Sequence, residues 1–266
     1  PMVLFTLGGL VHGDVWISGY NTVLTGQVDL RSSLNSGQAS TGLEEDLFRE
    51  FKWSDSVGTF VPIAFTGLFP DLTRFQAELE QEEVNAGQGF QQWRLDVVKS
   101  AQTFANSFLN WAPNVPVTVV SGGGLHDYQA VVLVKNTGGG SVRISFRRLE
   151  GNTNGGLWEA TAIESDGLSI TVPQGGQSVT SPIMVKGVNK SFVGKRLVIK
   201  VLDHFHTDIG HVTIAGSAAE QAKVSGQVSY TSSFSRGTQE GIVGVYAYNG
   251  DGSVAGVVWV KVLLGG

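Results

Sequence analysis

Asp203-His204-Phe205-His206-Thr207-Asp208-Ile209-Gly210-His211 is the segment with the most groups able to do chemistry. On an extended strand, residues two apart point to the same face, so His204 and His206 would project together. A turn could bring His211 back beside them. Three neutral imidazoles form a known zinc ligand set that leaves one position for water. Asp203 or Asp208 could then orient the rings from behind. The expected zinc ligands are therefore His204, His206 and His211, against the simpler reading of edge-strand histidines next to a turn. In that simpler reading the protein uses no cofactor.

Other reactive groupings are sparse. Glu78, Glu80, Glu82 and Glu83 lie at helical spacing, where a solvated face is the expectation rather than a carboxylate pair sharing a cleft. Gly122-Gly123-Gly124 lacks the Lys-Ser/Thr of a phosphate loop and reads as a plain loop. Asn189-Lys190-Ser191 fits the glycosylation triplet. Trp158 and Tyr248 are the residues that could stack on a sugar. The absence of cysteine removes disulfides, thiolate catalysis and cysteine-bound zinc. No nucleophile elbow, zincin motif or dinucleotide fingerprint occurs, and the protein is not expected to be an enzyme.

The elements that would position these groups are mostly strands. Charged residues make up only 15% of the 266, and 36 glycines take up much of the difference, well below the roughly 25% charge of average soluble chains. Abundant Val, Ser, Thr and Gly suits short strands and tight turns. From Pro113 onward the hydrophobic period is two. Strand-like runs cover Val117–Val120, Gln129–Val134, Val142–Phe146, Trp158–Ile163, Leu168–Val172, Val179–Val185, Leu197–Val201, Val212–Ile214, Val224–Phe234, Ile242–Tyr248 and Val254–Leu264. Glycine-rich turns separate them, which points to an antiparallel β-sandwich of Ig-like or jelly-roll type.

The first half adds helices. Phe90, Trp93, Val97, Ala101, Phe104, Phe108 and Trp111 recur at spacings of 3 or 4. That spacing predicts one helical stripe of about six turns, roughly 33 Å at 1.5 Å per residue. With a helix opening at Asp71, it predicts an amphipathic helical hairpin over 71–111 packed on a sheet. Such an aromatic stripe is expected to be core, with membrane docking as the alternative. Leu43, Leu47, Phe48 and Phe51 share a helical face behind a capping-box pattern at Thr41 and Glu44, so this stretch also reads as a helix. Residues 2–31 read as strand.

Two organisations follow. Residues 1–113 could be β segments plus the helical hairpin and residues 114–266 an antiparallel β-sandwich. Equally, one continuous domain could carry 38–113 as an insertion. The second is favoured by an echo: residues 25–37 and 225–237 match at six of thirteen positions. Strands equivalent in this way would pair or take matching places.

Charge and pattern narrow the function. Net charge is −5 and the pI about 5.5, which disfavours nucleic acid as a partner. Residues 1–113 hold 6 Lys/Arg against 13 Asp/Glu, giving −7, while residues 114–266 hold 12 against 10, giving +2. Halves of opposite sign can meet between copies. No run reaches the length of a membrane-spanning helix, and Pro1–Leu7 lacks the basic region of a signal peptide. The leading expectation is a non-catalytic, self-assembling structural or coat-type protein, such as a virion, tail, fibre or surface subunit, extracellular or virion-associated, with itself as partner. A β-pore-forming toxin is the alternative. Val224, Val228, Tyr230 and Phe234 would be its membrane or interface face on a strand that alternates almost without fault. A carbohydrate-binding module is a further alternative.

Overall fold

The computed structural model describes residues 2–7, 9–18, 21–30, 32, 34–70, 72–88, 92–149, 155–214, 222–232 and 237–266. The fold is mainly β, with several antiparallel sheets and two helices. The first sheet holds β1 (Asp14–Ile17), β2 (Thr22–Gln27), β3 (Leu47–Ser54) and β4 (Thr59–Ile63) in sequence order. Two helices follow, α1 (Arg74–Asn85) and α2 (Val97–Leu109). A second four-stranded sheet is built from β5 (Val117–Gly122), β6 (Gln129–Lys135), β7 (Ser141–Arg148) and β8 (Trp158–Glu164), again in order.

The remaining strands form two sheets. β9 (Leu168–Val172), β11 (Ile183–Asn189) and β14 (Lys223–Val228) make a three-stranded sheet in the order β14-β11-β9. The other has five strands, β10-β16-β15-β12-β13. These are β10 (Ser178–Val179), β12 (Arg196–Leu202), β13 (Asp208–Ile214), β15 (Thr238–Tyr248) and β16 (Val254–Gly265). Only the short β10–β16 contact in this sheet is parallel.

The five-stranded sheet is covered on both faces. One face sends Val243, Val245, Val258, Val262 and Leu264 into a core with Val185 of β11 and Val224 and Val228 of β14. The other sends Ile242, Tyr246, Val257 and Trp259 into a core with Val132, Ile144 and Trp158 of the second sheet and Phe104 of α2. A strand buried on both faces has no polar face to present, so β15 and β16 read as nearly continuous apolar runs rather than alternating ones.

α2 is shorter than the predicted stripe. Asp96 accepts hydrogen bonds from Val98 N (2.8 Å) and Lys99 N (3.3 Å), which starts the helix there. Residues Gln92–Leu95 form a separate 3-10 turn. Trp93, Ala101, Phe104, Phe108 and Trp111 nevertheless all join the core. Thr73 caps α1 by accepting from Gln76 N; Asp71 and Phe90 lie outside the described residues.

Two expectations are corrected. The helix expected across Leu43–Phe51 is absent, and the segment enters strand β3 at Leu47. Cross-strand pairing with β2 and β4 outweighs the local i,i+4 pattern, because Phe48 meets Phe75 of α1 and Phe51 meets Phe5. The echo between 25–37 and 225–237 is not structural equivalence. β2 lies between β1 and β3, whereas β14 edges a different sheet beside β11.

Candidate functional site

The three histidines are held in three different environments. The chain turns after β12, with His206 at φ 60°, so the extended geometry that would align His204 and His206 is lost. His206 points among Phe69, Phe108 and Trp259, with its Nε2 2.9 Å from the Leu68 carbonyl oxygen. His204 is buried beside the Gln239 side chain. Burial pushes its pKa down, against the pull of the carboxylates of Asp203, Asp29 and Asp46 and of the nearby Gln239 side chain. His211 is exposed on β13 and pairs with Asp208 at 3.3 Å. Among the described residues, no three His, Asp or Glu side chains are grouped to hold a metal ion.

Other candidate residues are mostly interior. Val224, Val228 and Tyr230 face the core between the three- and five-stranded sheets. The Tyr230 hydroxyl donates to the carbonyl oxygens of Gly265 (2.7 Å) or Val179 (3.0 Å). Phe234 lies outside the described residues. Trp158 is fully buried under the Arg148 guanidinium. Tyr248 is partly buried and covered by Arg196 at 4.4 Å. Asn189 of the glycosylation triplet is also fully buried, its Oδ1 accepting from Phe192 N.

The structure gathers a charged group that no spacing announced. Lys261 of β16 and Glu240 of β15 lie diagonally on one face of the hairpin, since Lys261 pairs across to Ile242 and Glu240 to Leu263. Nζ stands 2.6 Å from Glu240 Oε2, with 6% and 1% of the two side chains exposed. The ammonium also donates to the carbonyl oxygens of Gly67 (2.8 Å) and Leu72. The Phe65 backbone N–H donates to Glu240 Oε1 at 3.2 Å. Burial pushes the Glu240 carboxyl up to about 7, opposed by Lys261 and the Phe65 N–H and assisted by Glu50.

Residues 64–70 and Leu72 lie over this pair. This stretch is pinned to β8 by Leu68 N to Ala160 O (2.7 Å) and Ala160 N to Phe69 O (2.9 Å). Its Gly67 is needed for space, since a Cβ there would collide with the buried carboxyl group of Glu159. A cleft of about 440 Å³ opens beside it, lined by Phe65, Leu68, Trp259, Lys261 and the Gly175–Gly176 turn. One sequence signal could have found the pair. Lys261 is the only charged residue in the apolar run Val254–Leu264, and a charge buried in such a run needs a partner.

At the surface, two strand edges are open and apolar. β5 is the edge of the second sheet, carries no charge, and exposes Val119 and Val120, with Leu125 and Tyr128 exposed just beyond it. β1 is the edge of the first sheet. It turns Trp16 inward onto Phe75 and leaves Val15 56% and Ile17 85% exposed. No family model and no curated protein matches this chain. Among the described residues, no helix is long and apolar enough to cross a membrane.

Proposed function

We propose that the protein is a non-catalytic structural subunit that assembles with copies of itself through its strand edges. The observation that carries this reading is β5, an uncharged apolar edge strand exposed along most of its length. An edge strand offers a row of backbone donors and acceptors, and monomeric proteins commonly guard such edges with lysine, proline or a covering element. β5 has neither lysine nor proline within Val117–Gly122; its one guard is a bulge between Val119 and Ser121.

Antiparallel pairing of β5 with β5 of a second copy would cover Val119 and Val120 by a two-fold contact. β1 supplies a second edge on a different sheet. A subunit with two such contacts propagates into a chain or lattice, as a coat, tail, fibre or surface-layer subunit must. The low charge of the surface suits close packing of copies, and the location that fits is extracellular or virion-associated. The stacking of the three- and five-stranded sheets belongs, in this reading, to the antiparallel sandwich type.

Light scattering across a concentration series tests the proposal. A defined oligomer or growing filament supports it. A strict monomer at high concentration removes it.

A further inference from the structure

We propose that Lys261 and Glu240 are the two halves of an intramolecular isopeptide bond, formed by condensation of the lysine amine with the glutamate side-chain carboxyl. The inference does not depend on the assembly reading.

Three features of the site favour amide formation over a lasting ion pair. The first is proximity. Nζ and Glu240 Oε2 stand 2.6 Å apart, held by adjacent strands of one hairpin, and such fixation removes the entropic cost of bringing reactants together. The second is dryness. Both side chains are nearly fully buried, which narrows the gap between the charged and the neutral pair, and amide formation proceeds from the neutral pair, reached when a proton passes from Nζ to the carboxyl. Consistent with this, the Glu240 carboxyl is raised to about 7. A desolvated, uncharged lysine is a competent nucleophile.

The third is orientation. A neutral amine has two hydrogens and one lone pair. The carbonyl oxygens of Gly67 and Leu72 accept from Nζ and hold it in place beside Glu240. The Phe65 N–H donates to Oε1 at 3.2 Å, where negative charge develops as Nζ adds to Cδ, as in an oxyanion hole.

The step balances without any co-reactant. Nζ forms a bond to Cδ, the bond from Cδ to the Oε2 hydroxyl breaks, and that hydroxyl takes one proton from nitrogen and departs as water. The product is a secondary amide whose remaining N–H stays on one of the two backbone carbonyls. The cleft beside Lys261 gives the water a way out. The bond would tie β15 to β16 covalently at the open end of their hairpin.

The test is the mass of the full-length protein, unfolded in acid, followed by tryptic mapping. The expected result is a mass lower by one water. It should come with a single peptide spanning 237–266, uncut after Lys261 and giving no backbone fragments between Glu240 and Lys261. Lys261→Arg, which keeps the charge but lacks the primary amine, should restore the full mass. An unfolded wild-type protein of full mass whose peptides end at Lys261 overturns the proposal. So does a water loss that persists in Lys261→Arg.

Discussion

The indole Nε1 of Trp111 donates to the carbonyl oxygen of Val254 at 3.1 Å, inside the core. This bond joins Trp111, just past the Asn110 cap of α2, to the first residue of β16, 143 positions later in the chain. Gly140 makes room for it, since a side chain there would strike both the indole ring and the Val254 carbonyl. Trp111→Phe keeps most of the packing but orphans that carbonyl, at an expected cost of about 1–3 kcal/mol. Trp111→Ala adds a cavity and should cost about 3–5 kcal/mol. Urea denaturation of the two variants checks the order as well as the sizes.

Lys261→Met leaves the buried Glu240 carboxyl without its partner, ionic or covalent, and strips Gly67 and Leu72 of their donor. Breaking a buried pair from one side is expected to cost about 3–5 kcal/mol. The double variant Lys261→Met, Glu240→Leu removes both polar groups and should be more stable than Lys261→Met alone. A denaturant double-mutant cycle measures this, and a double variant no better than the single would show that the pair is not the dominant local interaction.

His204 gives a pH dependence of defined sign. Its folded-state pKa lies below the ordinary value of about 6.5 because of burial. The folded state therefore binds the proton less readily than the unfolded chain. The stability that follows from keeping the ring neutral is present above about pH 6.5 and is lost as pH falls toward the folded-state value. The groups facing the ring are Asp203, Asp29, Asp46 and Gln239. In His204→Gln the fall in stability below about pH 6.5 should flatten, as read from melting temperatures in a series of buffers taken downward from that pH.

Val120→Lys places a charge on the open edge at β5. An exposed substitution of this kind should change monomer stability by no more than about 0.5 kcal/mol. Association measured by sedimentation should fall sharply. A variant that assembles as well as the parent would exclude β5 as the contact.

Most strands after Pro113 were legible because two signals agreed there, period-two alternation and glycine-rich turns. β6, β7 and β12 lie close to where those signals put them. α2 was legible from its aromatic stripe, but its start was not, because Asp96 caps a helix inside a periodicity that continues upstream. β3 was misread because Leu47 and Phe51 satisfy helical and strand spacing alike, and only β2 and β4 decide between them. The histidines share a short segment, yet the turn at His206 sends them apart, and a left-handed histidine leaves no periodic trace. The Glu240–Lys261 pair was hidden for the opposite reason. Its partners are 21 residues apart in sequence, and only the hairpin register brings them together.

The central position of β15 and β16 has a consequence for biosynthesis. All the other described strands and helices leave the ribosome before this hairpin does. Until it emerges, the second sheet with α2 and the three-stranded sheet each lack the surface that closes their core. The nascent chain must hold two half-built apolar faces apart from each other and from neighbouring chains. Ribosome-bound chains stalled before Thr238 should accordingly remain protease-sensitive throughout, with protection arriving in one step once Gly265 is clear of the exit tunnel.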